Sequence, residues 1–516
     1  MHVRTALRWT AAVAMAGALV AASAMPAAAR GPDDAQLSVY MPDTTLATGT
    51  DGKTVSAYLY ASKPVVLSSA TIVYDFSDLV GTATVRPTPG RPNCTTANNR
   101  LTCGITDGIR VDESGIGGLT NVVIRPATGA VSGATGTLRV TFVSPGSSSG
   151  SYAATVRVGE AVDLAIGPDV EVQAEPGGAF SAPIAVTNPG DTAVEGFNVL
   201  FYHDHGFRPG EKYRNCTYVG DVLRSCAFDT TVQPGETLGG TMSYKVGEDA
   251  YAPGTDWAER QVMTRADFTD HAGFLTQVGF ELGEPGDGGL LELVRPGAAA
   301  RNAQTDIDET NNWSVVTLRV TGQNGADIAA IGDSARGAAG EVVTAEVGLV
   351  NNGPATVEYE RSGEPVTALY LTVPPGSTVV EAPQECYPMN GERPDYRQPG
   401  GTGAAKYFCP TGVKLPVDEK QILTFKLRID EVTADATGEV AINVPCECPW
   451  FHEDLDPAND VAKLVLNPAE PGGGGGGGLP VTGATTAWTA AGGVLLLLAG
   501  TAGFVLFRRR RVRFIA

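Results

Sequence analysis

The sequence predicts an all-β protein, a tandem of β-sandwich domains held between two apolar terminal segments. Three observations carry this expectation. Val and Thr are abundant while 64 Gly and 34 Pro punctuate the chain, a composition of short strands joined by turns. Two long stretches of the body align with each other at an offset of 164 residues. No long amphipathic helical pattern occurs outside the two ends. A chain of 516 residues has room for about three domains of ordinary size.

At the N-terminus, Arg4 and Arg8 precede an apolar, Ala-rich run over 10–25, and Ala27, Ala28 and Ala29 follow it. Positive charge, a short apolar core and small residues are the parts of a secretory signal, so 1–29 reads as a signal peptide cleaved before Arg30. An uncleaved anchor is the alternative, but the run is short for a membrane span. Export permits disulfides. All eight cysteines lie in the exported part.

Residues 30–160 form the first predicted domain, with candidate strands at 57–59, 70–74, 137–142 and 152–158. The second, 161–322, opens on Asp163-Leu164-Ala165-Ile166-Gly167, and the third, 323–467, on Asp327-Ile328-Ala329-Ala330-Ile331-Gly332. The offset of 164 places Asp163 on Asp327, Val186 on Val350, Asn188 on Asn352 and Thr192 on Thr356. Each of these two domains then runs a strand-like stretch into an Asn- and Gly-containing turn, chemistry that ends strands. Each closes on an acidic turn: Asp306, Asp308, Asn311 and Asn312 before 313–320, and Asp454, Asp456, Asn459 and Asp460 before 461–466. The closing stretches alternate with period two, as half-buried final strands do. Short strands and turns at this spacing indicate immunoglobulin-like sandwiches. The repeat resembles the CARDB-type and related immunoglobulin-like repeats of bacterial surface proteins, over domains two and three. Domain one departs from the pattern because it lacks the closing acidic motif. The resemblance implies a stalk or adhesion module without a known activity.

Cys94 and Cys103 lie nine apart and Cys216 and Cys226 ten apart, each pair opening on Asn-Cys-Thr, which predicts one disulfide-closed hairpin per domain. In the chain-entropy view such a loop gains roughly 2.5–3 kcal/mol. Cys386 and Cys409 are the longer equivalent in domain three. With Cys446 and Cys448 they leave three pairings open. A Cys-x-Cys pair without nearby histidines is poor zinc spacing, and no redox Cys-x-x-Cys occurs.

His203 and His205 would share a face of a strand, and His271 could join them in a three-histidine metal site. The competing reading is exposed polar residues at a strand end. The acidic turns carry oxygens suited to Ca²⁺, though without EF-hand spacing, and read more simply as Asx turns. No nucleophile-elbow, zinc-protease or phosphate-loop pattern is present, so no catalytic residue and no cofactor is expected. The formal charge is −20, and removing the seven terminal arginines leaves −27 for the mature part, which repels nucleic acid.

Residues 468–478 are a Pro- and Gly-rich linker ending in seven glycines, a flexible tether. Leu479, Pro480, Val481, Thr482 and Gly483 follow. Next comes an uncharged apolar stretch over 487–507, and then Arg508, Arg509, Arg510, Arg511 and Arg513. The stretch is roughly 30 Å long as a helix, enough to cross a bilayer, and the arginines hold the tail on the cytoplasmic side. Pro480 keeps the pentapeptide extended and its last peptide bond accessible. This ordered trio resembles the LPxTG cell-wall sorting signal of Gram-positive sortase substrates, at every motif position. The resemblance implies that a sortase thiolate attacks the Thr482 carbonyl, and that a peptidoglycan amine then takes the acyl group. The membrane would hold only the precursor. The sequence therefore predicts a secreted, peptidoglycan-anchored surface protein for display or adhesion, with sortase, peptidoglycan and an unnamed extracellular ligand as partners. The alternatives are a metal-dependent extracellular enzyme using His203, His205 and His271, or a carbohydrate-binding module. For the latter, Trp257, Trp313 and Trp450 are the only tryptophans of the body.

Overall fold

A computed structural model describes residues 35–90, 93–106, 108–111, 115–147, 149–293, 303–444, 450–451 and 453–469. The signal peptide, most of the glycine linker, the sorting pentapeptide, the apolar span, the arginine cluster, Cys446 and Cys448 lie outside the described residues.

The chain is all-β and repeats one architecture three times. In each unit a four-stranded sheet faces a larger one. Unit one orders its small sheet Leu37–Tyr40, Lys53–Ala61, Ile116–Pro126, Ala83–Pro87. Its large sheet runs Thr44–Ala47, Gly150–Val162, Thr135–Val143, Ala70–Asp75, Arg100–Ile105, Cys94–Ala97. Units two and three repeat both orders with their own strands, from Ala165–Ile166 to Trp313–Asn324 and from Ala326–Ile331 to Val461–Leu466. Unit one, which lacks the acidic motif in sequence, therefore belongs to the repeat.

Alternation drives each sheet pair together. In Lys420–Ile429 the side chains of Leu423, Phe425, Leu427 and Ile429 point inward, while Lys420, Thr424 and Arg428 are exposed. Each unit has its own core. Phe142 and Tyr74 sit in the first, Phe197, Phe201 and Phe207 in the second, and Phe425 and Tyr407 in the third. The chain passes from small to large sheet at an aspartate. Asp43 accepts the Thr155 amide (2.7 Å) just before Thr44–Ala47, and Asp169 accepts the Val315 amide (2.8 Å) just before Val170–Ala174.

The offset between units two and three is not constant. Asp163 and Asp327 are equivalent at 164, but the buried asparagine at the turn is Asn188 in one unit and Asn351 in the other. Asn188 donates to the carbonyls of Thr192 and Val232 and accepts from the Gly190 amide. Asn351 does the same with Ala355, Leu415 and Gly353. The segment between the two marks is one residue shorter in unit three, so Asn352, which a constant offset aligns with Asn188, is exposed. One step along a strand exchanges the faces.

One α-helix is present among the described residues, and no sequence pattern announces it. α1 (Arg265–Gln277) follows the strand Ala252–Thr264, and the Thr264 hydroxyl caps it by accepting from the Asp267 amide at 3.2 Å. It lacks an apolar stripe because two of its three buried side chains are carboxylates, Asp267 and Asp270. Their ion-pair partners lie in unit one.

Candidate functional site

Three disulfides tie the same place in each large sheet. Cys94–Cys103, Cys216–Cys226 and Cys386–Cys409 bring Cα atoms to 4.1, 3.9 and 4.2 Å. The pairing left open in unit three is thus Cys386 with Cys409 for these two residues.

The three histidines have different surroundings and do not converge. The strand Val194–His203 ends at His203, so His205 lies in the following turn rather than on a shared strand face. His203 packs its ring against Phe201, Phe207 and Tyr244, with centroids 5.4, 5.2 and 5.6 Å away. Burial there, with Arg224 and Arg260 nearby, pushes its pKa down to about 3, so it is neutral. His205 Nε2 lies 2.7 Å from Asp249 Oδ2. His271, on α1, lies 3.2 Å from the Tyr202 hydroxyl. The metal reading loses the geometry it needs.

The acidic turns use their oxygens on the backbone. Asp306 accepts the amides of Leu164 (2.9 Å) and Asp308 (2.8 Å), and Asp308 accepts that of Thr310 (3.1 Å). Asn311 donates to Asp163 at 3.1 Å. Asp454, Asp456, Asn459 and Asp327 repeat the set onto Ile328, Asp456 and Ala458. These turns pin each unit's first strand to its last, and burial raises the Asp306 carboxyl to about 6. Asp460 is also raised to about 6, by burial and by Asp454 and Asp327 beside it.

Two interdomain joints remain, and they hold the most concentrated polar chemistry of the body. At the first, Gln304–Asp306 adds in parallel to the end of unit one's last strand, pairing with Glu160, Ala161 and Val162. Lys53 of unit one sits 2.8 Å from both Asp267 and Glu309 of unit two. Burial works against its charge, but the two carboxylates together hold its pKa well above the usual lysine value. Arg157 pairs with Asp43 and Asp270, and Thr45 donates to Asp270 at 2.7 Å. At the second joint, Asp249 of unit two accepts the Thr356 hydroxyl at 2.8 Å and faces His205. Arg361 of unit three pairs with Asp204 and Glu259 and lies over the Trp257 ring, 5.6 Å from its centroid. Tyr251 donates to Glu453 at 2.6 Å.

No family model matches the chain, and no curated protein matches it. Among solved structures, it is similar to a protein of Corynebacterium diphtheriae described as membrane anchored, at 12% identity over 79% of this chain and 86% of that one, with a TM-score of 0.15. The complex of Dpr2 Ig1–Ig2 with DIP-Theta Ig1–Ig3 is similar at 8% identity over 85% and 100%, with a TM-score of 0.20. Red sea bream transglutaminase is similar at 10% identity over 56% and 31%, with a TM-score of 0.18. At such overlap none of them bears on what this chain does.

The second joint also encloses a recess of about 440 Å³ between units two and three. Tyr251, Tyr359, Trp450 and Phe451 wall it, with Asp256, Glu358 and Glu453 among its polar groups. Of these residues the sequence singles out only Trp450. The others come from three separate stretches of the chain, 251–256, 358–359 and 451–453, in two units, and no local pattern marks them. The other two tryptophans have separate partners. Trp257 lies under Arg361, and Trp313 stacks on Tyr202 with centroids 6.3 Å apart.

Proposed function

We propose that this is an exported surface protein whose three sandwiches form a display stalk, attached to peptidoglycan through Thr482 after a sortase cleaves the Thr482–Gly483 bond. The observation that carries the proposal is the ordered trio of Leu479-Pro480-Val481-Thr482-Gly483, the uncharged span over 487–507 and the arginine cluster, behind an N-terminal signal. The pentapeptide serves recognition, the span serves retention in the bilayer, and the arginines serve as a cytoplasmic stop. A disulfide among the described residues of every unit agrees with an oxidising compartment outside the cytosol. Ion-paired joints between units agree with a stalk that holds its distal end away from the anchor.

Replacing Thr482 by Ala is the direct test. The span and the arginines remain, so the variant is expected to accumulate uncleaved in the membrane fraction. Deleting 494–513 removes retention, and that variant is expected in the medium. A Thr482→Ala protein still covalently bound to purified walls would refute the proposal.

A further inference from the structure

We propose that the recess between units two and three is a binding site for an alkylammonium group, carried either by a free quaternary amine or by a lysine side chain.

The walls set the chemistry. Tyr251 from unit two meets Phe451 from unit three edge to face, centroids 5.8 Å apart and planes at 89°, which makes a concave aromatic corner. Tyr359 and Trp450 extend it, and Trp450 is backed by Phe408 at 5.8 Å. Aromatic faces attract organic cations, most strongly where water is displaced. The volume of about 440 Å³ falls within the roughly 300–1,000 Å³ of small-molecule sites.

The charge has the matching sign. Three carboxylates reach the recess, and among the described residues His205 is the one basic residue lining it. Glu453 already accepts the Tyr251 hydroxyl, and Glu358 is paired with Lys414 at 2.7 Å. Asp256 has no ion pair among the described residues; it accepts the Gly206 amide and has Arg208 in its surroundings, yet it lies half-buried with Asp204 and Glu358 as like-charged neighbours. Burial and these two like charges raise its pKa to about 7. A cation in the recess would relieve that repulsion, whereas an anion would add to it. A neutral sugar would gain the aromatic stacking but leave Asp256 without a counter-charge. The sign of the pH effect follows. Raising the pH through about 7 ionises Asp256 and strengthens cation binding.

The full chain in detergent would be titrated calorimetrically with choline, with N-acetyl-lysine methylamide and with 3,3-dimethylbutan-1-ol, the uncharged carbon analogue of choline. At least one ammonium compound is expected to bind ten times or more tightly than the alcohol. The preference between the two separates the quaternary from the lysine source. Binding should weaken from pH 8 to pH 6, and Asp256→Asn should lower affinity at pH 8 at least tenfold and flatten that dependence. Tyr359→Leu, on the other unit, should lower it several-fold. The proposal is overturned if no ammonium binds, if the alcohol binds equally well, or if wild-type affinity is the same at both pH values. The first and last comparisons need no variant, so misfolding of either substitution leaves the outcome decisive.

Discussion

Asn351 shows how much one side chain governs in this fold. Its amide donates to the carbonyls of Ala355 and Leu415 and its oxygen accepts the Gly353 amide, which ties the end of the strand Val342–Pro354 to the strand Lys414–Leu415. Asn351→Ala would leave these three backbone groups buried without partners and is expected to destabilise unit three by about 3 kcal/mol. The neighbouring Asn352 bonds Asp327 at the surface, at 3.0 Å, and its replacement by Ala is expected to cost at most about 0.5 kcal/mol. Thermal unfolding of the two variants, read at the transition of unit three, checks the contrast. Equal effects would contradict the register described here. The Asn-Gly turn itself is legible in the sequence. Which asparagine faces inward is not, because a one-residue difference in length reverses the faces and composition does not record it.

At the scale of elements, strands and disulfides are the legible part. Alternation and turn residues mark Trp313–Asn324 and Val461–Leu466, and the two Asn-Cys-Thr patterns mark their hairpins. α1 is not legible, because its inward face is built from Asp267 and Asp270 rather than from leucines, and helical periodicity is read from apolar residues. That polar face answers Lys53 and Arg157 of unit one. Lys53→Met would leave the buried Asp267 without its cation, a loss that costs on the order of a few kcal/mol, while the exposed Glu309 adds little. Hydrogen exchange is therefore expected to speed up at least tenfold for amides of Glu160–Val162, Gln304–Asp306 and α1, while the core of unit three keeps its protection. Unchanged exchange at the parallel pairing would mean that the strand addition, not the ion pairs, holds the joint.

For the whole molecule, one sandwich is repeated three times, and the acidic turn recurs at equivalent places in units two and three. The closing aspartate of unit two lies beside Val162 as the chain leaves unit one, and that of unit three lies beside Ala326 as it leaves unit two. Unit two is thus fastened to the exit strand of unit one, whereas in unit three the equivalent bridge falls on its own first strand, Ala326–Ile331. The repeat of units two and three is visible in sequence because both carry this acidic turn. The recess at the second joint is invisible there because its walls meet only after two units dock. The central claim concerns the other end of the chain, and extraction of wild-type cells followed by mass spectrometry tests it most directly. The account predicts that hot detergent leaves the protein with the wall and that muralytic enzyme releases it. The C-terminal peptide should then end at Thr482, with a peptidoglycan fragment bonded to its carbonyl. Complete extraction by detergent alone, with residues 483–516 still attached, would contradict it.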